Sequence, residues 1–168
     1  MPKPEKVEAN VRTWLREERS DTLTAFTRVV TLSLTTVGTE VSGSVSVADL
    51  RIPAEALGRD ISDMWNVPGS TRALALSPGT FRVLRLGGFK ERVKAVEVEE
   101  SLDSVVVHHL DHESSSGHLI RYFVLDLPGC RWMADSHMHV KSNGQPTPFA
   151  RSSDALIAAL GPRAIAIS

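Results

Sequence analysis

The sequence predicts a mainly β (α+β) fold: a single antiparallel β-barrel or strongly twisted sheet of about eight strands, with an N-terminal helix and a short C-terminal helix. Several short segments alternate apolar and polar residues with the two-residue period of a strand, and turn residues separate them. Helical spacing of apolar residues is clearest near the two ends of the chain. A β-sandwich of the jelly-roll type would use the same hairpins, so that alternative stays open.

The chain is predicted to form one domain over residues 1–168. This length is that of an ordinary globular domain with a single core. No repeat, low-complexity tract or long linker divides it.

The first predicted elements are a helix and a hairpin. Residues 7–19 place Val7, Val11 and Leu15 on one side and charged residues on the others, which predicts an amphipathic helix. Residues 24–36 are rich in Thr and Val, and residues 41–50 alternate Val with Ser. Together these two segments predict a β-hairpin with one solvated face.

The middle of the chain predicts a short helix and further strands. Pro53 is placed to begin a helix that Gly58 ends. Residues 72–77 and 80–86 flank a Ser-Pro-Gly turn and predict a second hairpin. Residues 93–99 fit either a strand or a helical stripe, and we favour the strand.

The end of the chain predicts a capped helix and a last strand. Ser152 or Ser153 is expected to cap a helix over residues 154–160, which Gly161 would end. The final residues, RAIAIS, are expected to form a strand.

All six histidines lie between His108 and His139. Three strands are predicted across this region, over residues 104–111, 118–127 and 130–140. Pairing Asp111 with His118, and Leu127 with Cys130, predicts one polar and one apolar face. The residues expected on the polar face are His109, Asp111, His118, Tyr122, Asp135, His137 and His139. His108 and His112 are expected to lie elsewhere and to be structural.

The predicted polar face could hold a metal ion. His137 and His139 alternate on one strand, and His118 is expected opposite His139, which would give three nitrogen ligands. Such a set suits Zn, or Fe(II) together with a carboxylate. The same face without a metal would be an acid–base or ligand site. We expect Tyr122, Asp135 and His109 to be the catalytic residues, and in a metal site Tyr122 or Asp135 would act as the acid or would orient the ligands. A non-catalytic face of the sheet is the third interpretation, and all three stay open.

Composition disfavours several classes of partner. Nineteen basic and twenty acidic side chains give a net charge of −1, so nucleic acid is not an expected partner. No apolar segment is long enough for a signal peptide or a membrane span, so we expect a cytoplasmic protein without a membrane partner. The lone Cys130 has no internal disulfide partner and is interpreted as a packed turn residue.

These observations predict a small-molecule-binding, β-barrel-like protein with a His/Asp/Tyr-lined face. Such a protein could be metal-dependent, and it could catalyse lyase, isomerase, hydrolase or oxygenase chemistry. The alternative is a non-enzymatic assembly or interaction subunit, such as a shell, tail or immunity-type protein, because the strands carry no specific catalytic motif. A homo-oligomer is compatible with both hypotheses.

Overall fold

The protein folds around one mainly antiparallel sheet. A computed structural model describes residues 2–32, 48–65, 71–129 and 131–167. The described elements are α1 (Pro4–Arg19), β1 (Ala25–Thr31), α2 (Arg51–Leu57), β2 (Thr71–Leu76), β3 (Thr80–Gly87), β4 (Arg92–Ser101), β5 (Val106–Glu113), β6 (Leu119–Leu127), β7 (Arg131–Val140), α3 (Ala150–Leu160) and β8 (Ala164–Ala166).

The eight strands form a single sheet in the order β4-β3-β2-β1-β7-β6-β5-β8. Neighbouring strands are antiparallel except β5 and β8, which are parallel. Among the described residues β4 and β8 are the two edges, so the sheet is open and not a closed barrel. The predicted mainly β fold with an N-terminal helix and a short C-terminal helix is confirmed. No described helix is both long enough and apolar enough to cross a membrane.

Helix α1 covers one face of the sheet with a single apolar stripe. Val7, Val11 and Leu15 are fully buried because the four-residue spacing keeps them on one side of the helix. They pack against residues of β2 and β3, including Ala73 and Leu84. The predicted helix is therefore confirmed, and it starts at Pro4, earlier than residue 7.

Helix α3 covers the opposite face. Leu156 and Leu160 are buried against a core that includes Val29, Phe123 and Met133. Strand β1 pairs with β7 only at its last two residues, while α3 contacts β1, β2 and β7. The prediction that Ser152 or Ser153 caps this helix was wrong: it begins at Ala150, with Phe149 at the cap position.

Both faces of the β6–β7 part of the sheet carry buried apolar residues. The face opposite α3 buries Tyr122, Val124 and Trp132 beneath α2 and the segments around it. Each fully buried side chain of this size contributes roughly 1.5–3 kcal/mol relative to exposure. Polar side chains that remain inside these layers therefore need partners to offset their desolvation.

Most predicted elements are present, with shifted ends. The short helix ends at Gly58, which adopts φ +62°, and residues 93–99 do form a strand. The predicted strand over residues 41–50 lies mostly outside the described residues, as does the end of the strand predicted over residues 24–36.

The predicted register of the histidine region was wrong in both hairpins. Asp111 faces Arg121 and not His118. The last pair of β5 and β6 is Glu113–Leu119, and the loop between these two residues has five residues. Leu127 faces Arg131, because the following loop has three residues rather than two. Each change reverses which side chains of β6 share a face with those of the neighbouring strand. The even-numbered residues of β6 therefore face α2.

Candidate functional site

A cluster of polar side chains lies on the α3 side of strands β5, β6 and β7. We call it the His–Arg cluster and define it by His109, Asp111, Arg121, His137, His139 and Asp154. Both register changes reverse the faces of β6, one relative to β5 and the other relative to β7, so the relation between β5 and β7 is unchanged. Residues of β5 and β7 that were predicted to share a face therefore share one in the structure. Strand β6 contributes Arg121 instead of His118 and Tyr122, and α3 contributes Asp154.

Arg121 is the centre of the cluster and is 8% exposed. Its Nε and Nη2 donate hydrogen bonds to the two carboxylate oxygens of Asp111, at 2.7 and 3.0 Å. Its Nη1 donates to Asp154 Oδ1 at 2.6 Å and to Ser153 Oγ at 3.1 Å. The guanidinium therefore ties β5, β6 and the first turns of α3 together through charge-assisted bonds.

The ion pairs set the charge state of this centre. Burial opposes the charged form of Arg121, but the hydrogen bonds that Arg121 donates to Asp111 and Asp154 outweigh it and raise the pKa of Arg121. Burial likewise opposes ionisation of Asp111, and its bonds to Arg121 overcome that effect and lower the pKa of Asp111. One buried cation thus stands between two carboxylates.

His137 lies next to Arg121 across the β6–β7 pair. Its ring stacks on Phe123 with centroids 6.1 Å apart and planes 15° apart. Burial is the main reason that the pKa of His137 falls to about 3, and the nearby His139 and Arg121 lower it further. The ring of His137 is therefore neutral at pH 7.

His139 is brought into the cluster by a bulge. The β6–β7 register shifts between Leu119 and Ile120, which leaves His139 as the extra residue of β7. Its ring meets that of His137 edge-on at 5.1 Å, and its Nε2 lies 3.5 Å from Asp154 Oδ1. Burial and then Arg121 lower the pKa of His139, with Asp154 opposing them.

His109 completes the cluster from β5, on the same face as Asp111. It is half-buried. Burial and then the charge of Arg121 lower the pKa of His109, although Asp111 acts in the opposite direction. All three histidines of the cluster thus favour their neutral forms.

Several ring nitrogens of the cluster have no partner among the described residues. Both ring nitrogens of His137 and Nδ1 of His139 are buried and have no partner in good hydrogen-bond geometry there, although a hydrogen-bond interaction with the backbone of Met138 acts to raise the pKa of His137. The side chain of His139 is only 9% exposed. Buried polar atoms are nearly always hydrogen-bonded, so these nitrogens are exceptions that need an explanation.

Two of the residues predicted for the polar face lie away from the cluster. His118 precedes β6, and its Nδ1 accepts a hydrogen bond from the backbone N–H of Ser142 at 3.0 Å. Tyr122 is 1% exposed on the opposite face, where its hydroxyl accepts a hydrogen bond from the backbone N–H of Asp49 at 3.0 Å. Their predicted places facing His139 and Asp135 were therefore wrong, since β6 is turned over.

Asp135 is on the same face as the cluster but completely buried. Thr31 Oγ1 donates a hydrogen bond to its Oδ1 at 2.7 Å, whereas Oδ2 has no partner among the described residues. Burial raises the pKa of Asp135 to about 7, against the opposing effects of Thr31 and Arg72. This carboxyl therefore titrates near neutral pH and is completely buried.

The remaining predicted groups are dispersed. His108 lies on the α2 side, with Nε2 2.9 Å from Asp126, and His112 is exposed on that side, which confirms the expected separation of these two residues from the cluster. Cys130 lies outside the described residues. Among the described residues, no group of three or more His, Cys, Asp or Glu side chains is arranged to hold a metal ion.

Sequence reasoning missed the two residues that organise the cluster. Arg121 interrupts the apolar run LIRYFVL, and a charged residue at the centre of a buried strand requires a partner. That signal was available in the sequence. Asp154 could not be paired with it, because the contact between α3 and β6 joins residues far apart in the chain. The sequence of this chain matches no protein-family model and no curated protein.

Proposed function

We propose that this protein binds a small, polar molecule at the His–Arg cluster. The observation that carries the proposal is the set of buried ring nitrogens of His137 and His139 without partners among the described residues. Leaving a buried donor or acceptor unpaired costs about 1–3 kcal/mol each. A ligand that hydrogen-bonds to these rings would recover that free energy on binding.

The charge of the cluster indicates which ligand chemistry fits. Arg121 is already paired with Asp111 and Asp154, so its charge is neutralised before any ligand arrives. A neutral imidazole offers one N–H donor and one bare nitrogen acceptor. The cluster therefore favours a neutral molecule with hydroxyl or amide groups over an anion, and the stacked pair of Phe123 and His137 supplies an aromatic wall beside them.

Binding is favoured over proton transfer by the same charges. General acid–base catalysis works best when the pKa of the group lies near the working pH. With a pKa of about 3, His137 is a weak base at pH 7 and carries no extra proton to donate. We propose hydrogen bonding, rather than proton transfer, as the role of this ring.

The test is a titration of protein labelled with ¹⁵N at its histidines, using a library of small alcohols, amides and sugars. We expect ligands to shift the ring nitrogen signals of His137 and His139. We expect His137→Phe and His139→Phe to weaken binding about tenfold, the value of one hydrogen bond. His112→Phe is the matched control, because His112 is exposed on the other side of the sheet. Unchanged affinity in both cluster variants would refute the proposal.

An assembly subunit is the second candidate, and one observation supports it. Val106 and Ile165 are 36% and 44% exposed at the open end of the sheet, on the adjacent strands β5 and β8. Exposed apolar side chains at a sheet edge favour pairing with another chain. Light scattering should then show a discrete oligomer that Ile165→Lys dissociates, whereas a monomer at all concentrations would rule this candidate out.

A further inference from the structure

A second site lies at the other end of the sheet, far along the strand order from the His–Arg cluster. The start of α1 and the β3–β4 turn enclose a cleft of about 790 Å³. Its cationic lining consists of Lys3, Lys6, Lys90 and Arg92, all four of which are exposed. Among the described residues that line it, none has a carboxylate side chain.

The four cations are available for an external partner. Within the described part of the chain, none of them forms an ion pair. Within the β3–β4 turn the acidic residue is Glu91, which is 8% exposed and accepts hydrogen bonds of 2.6 to 3.1 Å from Arg28. On α1, Glu5 adjoins Lys6 and is exposed, but it does not line the cleft. The carboxylate of the turn is therefore buried, whereas the four cations are exposed.

The geometry of the cleft is fixed by contacts between its two walls. Asn10 Nδ2 donates a hydrogen bond to the backbone carbonyl of Lys90 at 2.9 Å, which ties the turn to α1. At the base of the same turn the side chain of Lys94 lies against Gly87, where an added Cβ would come within 2.8 Å of Lys94 Cγ. The start of α1, which carries Lys3 and Lys6, is therefore attached to the turn that carries Lys90.

Phe89 lies at the tip of this turn and is 96% exposed. Pro2 and Ala9 add apolar surface inside the cleft. An aromatic ring surrounded by water is unfavourable. Insertion into the apolar phase of a membrane would bury both faces of the ring.

We propose that this end of the protein docks on the surface of an anionic phospholipid bilayer. Phe89 enters the boundary between headgroups and acyl chains, and the four cations contact the lipid phosphates around it. Peripheral attachment requires two such signals, an apolar insertion and a basic patch, and this surface supplies both. The inference is independent of the ligand proposed for the His–Arg cluster.

The test is co-sedimentation of the full-length chain with vesicles of phosphatidylcholine alone or mixed with phosphatidylglycerol. We expect binding to the mixed vesicles only, weakening as salt is raised toward about 0.15 M and beyond. Phe89→Ser should reduce partitioning about 10- to 100-fold, the range expected for burying one such side chain. Each of Lys3→Gln and Lys6→Gln should reduce it about fivefold.

Matched controls separate docking from general effects of charge and folding. Lys141→Gln removes an exposed cation outside the cleft, and Val30→Ser removes an apolar side chain that is 43% exposed on β1; neither should change partitioning. Phe89→Trp should retain binding and show a blue-shifted emission with mixed vesicles. Equal binding of the Phe89→Ser variant and the wild type would overturn the proposal. So would tight binding of inorganic phosphate or a single-stranded oligonucleotide to the cleft cations without vesicle binding.

Discussion

Asp111 and Arg121 face each other across the β5–β6 pair and share two hydrogen bonds of 2.7 and 3.0 Å. The Arg121 side chain is 10% exposed and that of Asp111 is 36% exposed. Breaking an ion pair that has one buried partner costs more stability than breaking an exposed pair, because the buried charge has lost most of its water.

The first prediction concerns this pair. We expect a double-mutant cycle of Asp111→Asn and Arg121→Gln to give a coupling free energy of about 1–3 kcal/mol in urea unfolding. The control is the cycle on Asp103 and Arg163, whose side chains are 84% and 36% exposed and whose coupling should stay below about 1 kcal/mol. Equal couplings in the two cycles would mean that Arg121 is not held as the structure indicates.

The second prediction concerns the buried carboxyl of Asp135. Its pKa is 3.8 in the unfolded chain and about 7 in the folded one, so the folded state binds more protons between these values. The stabilisation is therefore complete below pH 3.8 and is lost as the pH rises through 7. Asp135→Asn does not titrate, so its stability relative to the wild type should increase from pH 4 to pH 7, by on the order of a few kcal/mol.

Urea unfolding at a series of pH values measures this difference. Asp103→Asn serves as the control, because it removes a carboxyl whose side chain is 84% exposed instead of a buried one. A difference between Asp135→Asn and the wild type that stays flat from pH 4 to pH 7 would show that Asp135 is charged in the folded protein.

The third prediction concerns His137, whose effect has the opposite sign. Its pKa falls from 6.5 in the unfolded chain to about 3 in the fold. Its stabilisation is complete above pH 6.5 and is lost as the pH falls toward 3. His137→Phe should therefore gain stability relative to the wild type as the pH falls from 6.5 to 4, by on the order of 1–3 kcal/mol.

The control for His137 is His112→Phe, at an exposed position on the other side of β5. Because Asp135 and His137 act in opposite directions, Asp135→Asn should also steepen the loss of stability in acid. If the stability of His137→Phe relative to the wild type were independent of pH, the ring would have to be solvated or hydrogen-bonded in its charged form.

The sequence was sufficient to predict the elements because their signals are local. Alternation, turn residues and the stripe of Val7, Val11 and Leu15 depend on neighbours within a few positions, and for the described residues the helices and strands predicted from them were confirmed, with shifted ends. Register depends on loop length, which the pattern did not determine at residues 114–118 or after Pro128 and Gly129.

The prediction of which histidines share a face was partly correct, for a physical reason that the sequence did not reveal. The two loop errors cancel between β5 and β7, so His109, Asp111, Asp135 and His137 share a face as predicted. They do not cancel for β6. The predicted register was chosen because it separated a polar from an apolar face, but both sides of β6 carry buried apolar residues, so this separation did not determine the register and Tyr122 was assigned to the wrong side.

The fourth prediction separates a structural Tyr122 from a catalytic one. Its buried hydroxyl accepts a hydrogen bond from the backbone N–H of Asp49 at 3.0 Å, on the α2 side of the sheet. Tyr122→Phe leaves that buried donor without this acceptor and should lower the free energy of unfolding by about 1–3 kcal/mol. Since the hydroxyl points away from the His–Arg cluster, the affinity of the cluster for its ligand should not change.

The outcome depends on measuring stability and binding on the same variant. Thermal unfolding gives the first quantity, and the ¹⁵N-histidine titration gives the second. His139→Phe is the matched comparison, with the opposite pattern expected: weaker ligand binding without loss of the Asp49 contact. Weaker binding by Tyr122→Phe with unchanged stability would place its hydroxyl at the site, which the face that β6 presents to α3 does not allow.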